Sequence, residues 1–143
     1  MECEHSLICD VAIVADGDVL LVRYADVEKY DGEAGWFLPD DVLHRYEHPT
    51  RAAKRIVQEQ VGLGLDDVRL GLIESFRGGD GSWHLSFHHI AELPSNPEIE
   101  PTPELAEARW FPLDELPPRS DVAHSGWALS VLDRMLGETA DEA

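Results

Sequence analysis

Lysine is nearly absent from this chain. Lys29 and Lys54 are the only two among 143 residues, and nine arginines bring the bases to 11 against 29 acids, a net charge of −18. So large an acid excess argues against a nucleic-acid backbone or an anionic membrane as partner, since both need basic patches. Long apolar runs are also missing. Val19 to Val22 is typical of those present, far short of a membrane span. Met1-Glu2-Cys3-Glu4-His5 is acidic where a secretory signal would be basic and then apolar, so the expected location is the cytoplasm. Cysteine is scarce. Cys3 and Cys9 form C-x-H-x3-C with His5, but a structural metal site wants four ligands and tighter pairs, so both are read as reduced thiols.

The acid excess has two readings. One is a protein of a salt-loving cell, because dense like charge destabilises the compact state and salt screens that repulsion. It predicts that thermal stability rises on adding KCl. The other is an acidic protein of an ordinary cell.

Chain length and an apolar content of 43% fit one domain over residues 1–143, with a core from about 7 to 136 and an acidic tail over 137–143. Leu7 to Val14 and Val19 to Tyr24 read as strands, and Asp16-Gly17 between them as a tight turn. Trp36 to Leu38 reads as a short strand stopped by Pro39. Pro49 and a Thr50 cap start a helix that runs to about Val61, where Gly62 ends it. Its apolar stripe is Ala53, Val57 and Val61. Val68 to Arg77 and Trp83 to Leu93 read as a hairpin across a glycine-rich link over residues 78–82. An extended loop with Pro94, Pro97, Pro101 and Pro103 follows. Ala106 to Phe111 is a strand, Pro112 to Leu116 one helical turn, and Asp121 to Leu136 a helix. This order predicts a mixed sheet sandwiched between α-helices, an α/β or α+β fold.

The segment Arg55 to Leu63, R-I-V-Q-E-Q-V-G-L, poses the functional question. Ile56, Glu59 and Gln60 are spaced to share one helical face. Three carboxylates on such a face would suit a metal ion, since clustered anionic oxygens hold hard cations. Here one acid and one amide remain.

With its flanks, the segment resembles the Nudix box, G-x5-E-x7-R-E-U-x-E-E-x-G-U, which W-x-L-P-G usually precedes. Trp36-Phe37-Leu38-Pro39-Asp40 matches that lead except for Asp40, and Asp41 stands where the box begins with glycine. Glu47, Arg55, Val57, Glu59, Gly62 and Leu63 match, whereas Ile56 and Gln60 replace glutamates. Arg109-Trp110-Phe111-Pro112 through Glu115-Leu116 resembles a second stretch common near the family's end. The resemblance covers about residues 7 to 136. It implies a Nudix fold and hydrolysis of a nucleoside diphosphate linked to another group, with Mg2+ or Mn2+ neutralising the phosphates.

By the same resemblance Glu59, Glu47 and Arg55 are the catalytic candidates, the arginine orienting a glutamate. Glu59, Gln60, Asp41 and Glu107 are the metal candidates. Asp40, Glu104 and the histidines His84, His88 and His89 are further places for a relocated ligand, with a structural reading beside each that is favoured for Asp40 and the histidines. The alternative is a non-catalytic module that binds a nucleotide-like ligand or a protein partner and needs no metal. In that reading Glu47, Arg55 and Glu59 tie loop to helix. Trp36, Phe76 and Trp83 are either base-stacking or core residues. The implied partner is a small nucleotide-type molecule, and the family also admits a homodimer.

Overall fold

The computed structural model describes residues 5–78, 81–100 and 102–137. Cys3, Gly79, Asp80, Pro101 and the tail beyond residue 137 lie outside the described residues.

Strands β1 (His5–Ala15) and β2 (Asp18–Tyr24) form the expected hairpin. Asp16 and Gly17 both have positive φ, 51° and 81°, as a two-residue turn between right-twisted strands requires. β3 (Asp40–Val42) and α1 (Pro49–Val61) come next. Then follow β4 (Arg69–Arg77), β5 (Trp83–Leu93), β6 (Leu105–Pro112) and α2 (Ala123–Leu132). The sheet order is β4-β5-β1-β2-β6, with β3 on β1. β5 runs parallel to β1 along its whole length, so the sheet is mixed.

The other edge of β1 is shared. Its start, Ile8–Asp10, pairs with β3, and its end, Val14 and Ala15, pairs with β2. Residues 36–42 wedge into the gap between β1 and β2. Val22 and Phe37 exchange backbone hydrogen bonds at 2.9 and 2.8 Å, and the Val11 N–H donates to the Pro39 carbonyl at 3.1 Å. The strand expected at Trp36–Leu38 is thus two isolated bridges. The paired strand falls after Pro39, which has no N–H to give to a ladder. This wedge sets Asp40 beneath α1.

Strand alternation divides the core. Cys9, Val11, Ile13, Leu20 and Val22 face Ala52, Ala53, Ile56 and Val57 of α1. Ala12, Val19 and Leu21 face Ala128, Val131 and Leu132 of α2. The helices therefore cover opposite faces, as expected. Among the described residues no helix is long and apolar enough to cross a membrane.

Three local expectations are corrected. The cap of α1 is His48, whose Nδ1 accepts from the Thr50 N–H at 3.2 Å. Residues 112–116 form a non-helical turn. The last helix starts at Ala123 through a left-handed stretch, with φ of 54°, 56° and 93° at His124, Ser125 and Gly126. The Arg119 guanidinium holds that stretch, donating to the Ser125 and Gly126 carbonyls.

Candidate functional site: the face of α1

One end of the site is a clamp. Arg55 Nε and Nη2 donate to the two oxygens of Glu47 at 2.8 and 3.0 Å. Nη2 also reaches the Val42 carbonyl at 3.0 Å, and Nη1 reaches Glu59 Oε1 at 2.7 Å. Glu47 in turn accepts from the His44 N–H at 3.0 Å. The paired bonds from Arg55 hold the Glu47 carboxyl below its ordinary range. Arg55 thereby fastens the 42–47 loop to the helix.

The other end is closed. Ile56 is 1% exposed and Gln60 2%, whereas the Glu59 side chain is 54% exposed. The three residues do not share one working face, because i and i+4 point inward while i+3 points to solvent. Gln60 Oε1 accepts from the Tyr24 hydroxyl at 2.9 Å. Its Nε2 donates to the Asp40 carbonyl at 2.8 Å and reaches Tyr30 Oη at 3.4 Å. The Tyr24 hydroxyl also lies 3.1 Å from Asp40 Oδ1 and accepts from the Asp40 N–H at 2.9 Å. The Tyr24 and Tyr30 rings stack with centroids 3.5 Å apart. Burial pushes the Tyr24 hydroxyl and the Asp40 carboxyl up, and Asp10 pushes Asp40 further.

Burial raises the Tyr30 hydroxyl pKa, and Asp41, Glu104 and Asp40 lie near enough to raise it further, while the remaining candidates have partners of their own. Asp41 Oδ1 accepts from the Val42 N–H at 2.8 Å. Glu107 lies within β6 and pairs with Arg23 at 3.5 Å and Arg109 at 2.6 Å. Glu104 meets Lys29 and the Tyr30 hydroxyl. His89 is buried on the α1 side; desolvation lowers its pKa, and it contacts Thr50 Oγ1 and the Phe87 carbonyl. His84 and His88 lie on the opposite face. His84 stacks on Phe76, and His88 sits between Asp10 and Glu74, 2.7 Å from each. Trp36 is a core residue, with the guanidiniums of Arg23 and Arg109 over its ring. Phe76 and Trp83 are exposed.

These side chains do not fit the magnesium or manganese that the box implies. Ile56 offers no donor, the Gln60 amide is engaged with the Asp40 carbonyl and the Tyr24 hydroxyl, and Glu59 is held outward by Arg55. Among the described residues, no three His, Cys, Asp or Glu side chains converge to hold a metal.

One feature lies outside the box. Residues 44–55 carry Arg45, Arg51, Lys54 and Arg55 against the single acid Glu47, a net of three positive charges in a chain of −18. They span the loop and first turns of α1, where the helix presents its N-terminal N–H groups. The Arg45 guanidinium lies 5.2 Å over the exposed Tyr46 ring. A running charge count along the sequence would have found this island. At the far end of α1 a cavity of about 340 Å³ is lined by Val61, Gly62, Leu63, Glu98 and Glu100, two acids and no base.

A mixed sheet between two helices, with the Glu47–Arg55 clamp on the first, defines a Nudix-type domain. The NUDIX domain family model matches residues 7–130, and the chain belongs to that family. No curated protein matches it. Among solved structures it is similar to a MutT NUDIX hydrolase from Burkholderia pseudomallei (21% identity, 93% of this chain and 98% of that one, TM-score 0.73). It is similar to the E. coli dihydroneopterin triphosphate pyrophosphohydrolase (14%, 96% and 99%, TM-score 0.74). It is also similar to the NUDIX domain of Shewanella oneidensis NrtR in complex with ADP ribose (16%, 94% and 88%, TM-score 0.70). At such identities the likeness concerns the fold.

Proposed function

We propose that this chain is a cytoplasmic Nudix domain that binds a small phosphate-bearing, nucleotide-type ligand and does not carry out metal-dependent hydrolysis at the α1 face. One observation carries the proposal: the buried Gln60 side chain is fully hydrogen-bonded within the protein. Its amide donates to the Asp40 carbonyl and its oxygen accepts from Tyr24. A metal would have to displace that network, and the neutral amide offers little in return. The basic island supports an anionic ligand, since it is where an otherwise repulsive surface turns attractive. The NrtR domain supports it by analogy, as a similar fold in complex with ADP ribose.

Calorimetric titration with a panel of nucleoside diphosphate derivatives tests this reading. Binding is expected to persist in EDTA, and Arg51→Ala with Lys54→Ala is expected to weaken it about tenfold or more. Affinity that depends on magnesium, or that ignores the double substitution, contradicts the reading.

A second reading keeps the enzyme. Glu59 remains exposed at a motif position, and two of the solved neighbours are named as a hydrolase and a pyrophosphohydrolase. In it Glu59 is the surviving ligand, with Glu47, Gln60, Asp41 and Glu107 assisting Mg2+ or Mn2+. Homodimerisation is compatible with either reading.

A further inference from the structure

On the sheet face opposite α1, four charged groups from four parts of the chain form one line. His88 of β5 is fully buried. Its Nδ1 lies 2.7 Å from Asp10 Oδ2 of β1, and its Nε2 lies 2.7 Å from Glu74 Oε1 of β4. The other Glu74 oxygen receives Nη1 of Arg134, in the wider helical turn Asp133–Gly137 that continues α2. The next residue, the buried Met135, packs on β4 so closely that a Cβ at Gly71 would lie 2.9 Å from its sulfur. The indole of Trp127 in α2 lies 5.7 Å from the His88 ring.

The two contacts fix a proton count. A neutral imidazole has one N–H and one bare nitrogen, and a bare nitrogen cannot sit 2.7 Å from a carboxylate oxygen without repulsion. Both contacts need a proton, so Asp10, His88 and Glu74 hold two between them. With both on the ring, His88 is a cation between two anions, and Arg134 balances the second. Desolvation disfavours such a cation, and the bonds to Asp10 and then Glu74 outweigh it, so the His88 pKa is raised. Among the described residues, the ring's hydrogen-bonded ionisable partners are Asp10 and Glu74. Asp40 lies across β1 from Asp10, and His89 points to the other face.

We propose that Asp10–His88–Glu74–Arg134 is a proton-dependent latch that fastens the C-terminal helical segment to the sheet. Asp10 is fully buried and keeps the Nδ1 proton. Glu74 is partly exposed on an edge strand and Arg134 is at the surface, so they are the moving parts. When the ring gives its Nε2 proton to solvent, Glu74 faces a lone pair and swings out, taking Arg134 with it. The sign follows from the raised folded value. The latch contributes its full stability below the ordinary histidine pKa, and that contribution is lost as pH rises through the folded value. The latch does not depend on what the domain binds or hydrolyses.

Ring-nitrogen NMR of 15N-histidine-labelled protein tests it directly. In a pH titration the wild-type His88 ring is expected to keep both nitrogens protonated to a higher pH than an ordinary histidine. Glu74→Gln supplies an amide that can donate to Nε2, so there the ring is expected to be neutral with a bare Nε2. Hydrogen-exchange protection over residues 128–136 is expected to fall about tenfold in the wild type as the ring titrates, with no such step in Glu74→Gln. Arg134→Gln, a surface change, is expected to lower that protection at neutral pH while leaving the ring protonated. A wild-type ring that has one bare nitrogen already at the ordinary histidine pKa or below would place the second proton on a carboxyl group and overturn the latch. So would an exchange step that Glu74→Gln leaves in place.

Discussion

The two sides of α1 have opposite fates. On the solvent side, Glu47, Arg55 and Glu59 match the Nudix box and make a short ion-pair clamp. On the inward side, both box positions differ, and both are part of the core: Ile56 against Val11 and Phe37's cluster, Gln60 in the tyrosine network. The box residues on the solvent side shape the loop, while the two inward positions that differ from the box serve packing and hydrogen bonding. One helix thus carries an ion-pair clamp on one side and core packing on the other.

Breaking the inward side has the largest expected effect. Ile56→Glu places a carboxylate in an apolar layer with no partner, at a cost of about 4 kcal/mol or more, against a total stability of about 5–15 kcal/mol. Gln60→Glu turns an oxygen toward the Asp40 carbonyl and costs about 3 kcal/mol. Thermal melts with and without magnesium sharpen the contrast. If magnesium restored either variant to wild-type stability, a metal site would lie beneath the present network after all.

Breaking the clamp ranks next. Arg55→Ala removes the paired bonds to Glu47 and the bond to the Val42 carbonyl, for a loss of about 2–3 kcal/mol. The same pair gives an acid limb to stability. The Glu47 carboxyl is held below its ordinary value of 4.5, so its contribution is complete above that value and is lost as pH falls through the folded one. Denaturant melts across that window are expected to show the acid loss in the wild type and to lack Glu47's share of it in Arg55→Ala. Parallel pH profiles would count against the clamp. Glu59→Gln is expected to be nearly silent in stability, within about 0.5 kcal/mol, because an exposed i,i+4 pair contributes little.

Much of this was legible in the chain itself. The hairpin turn, the Gly62 stop and the box spacing placed most strands and α1 correctly, and the motif gave the family. The inward side was not legible, because its partners come from afar. Tyr24 and Tyr30 precede Gln60 by 36 and 30 residues. Only the wedge of residues 36–42 between β1 and β2 brings Asp40 under the helix. Helical spacing predicted a shared face for Ile56, Glu59 and Gln60, but it does not say where the core lies. Asp10 and His88 are 78 positions apart and meet only through the parallel pairing of β1 and β5. The left-handed entry to α2 gave only a weak signal: His124 and Gly126 tolerate that conformation, but Ser125 between them does not favour it.

The most direct test of the central claim is turnover. Folded wild-type protein and Glu59→Gln would be incubated at high KCl with nucleoside diphosphate derivatives and Mg2+, Mn2+ or Zn2+ in turn, and phosphorus NMR would follow any cleavage. No cleavage above the metal-only background by either protein, under conditions where the ligand binds, is the predicted result. Metal-dependent cleavage by the wild type that Glu59→Gln abolishes would contradict it and make the chain a working hydrolase.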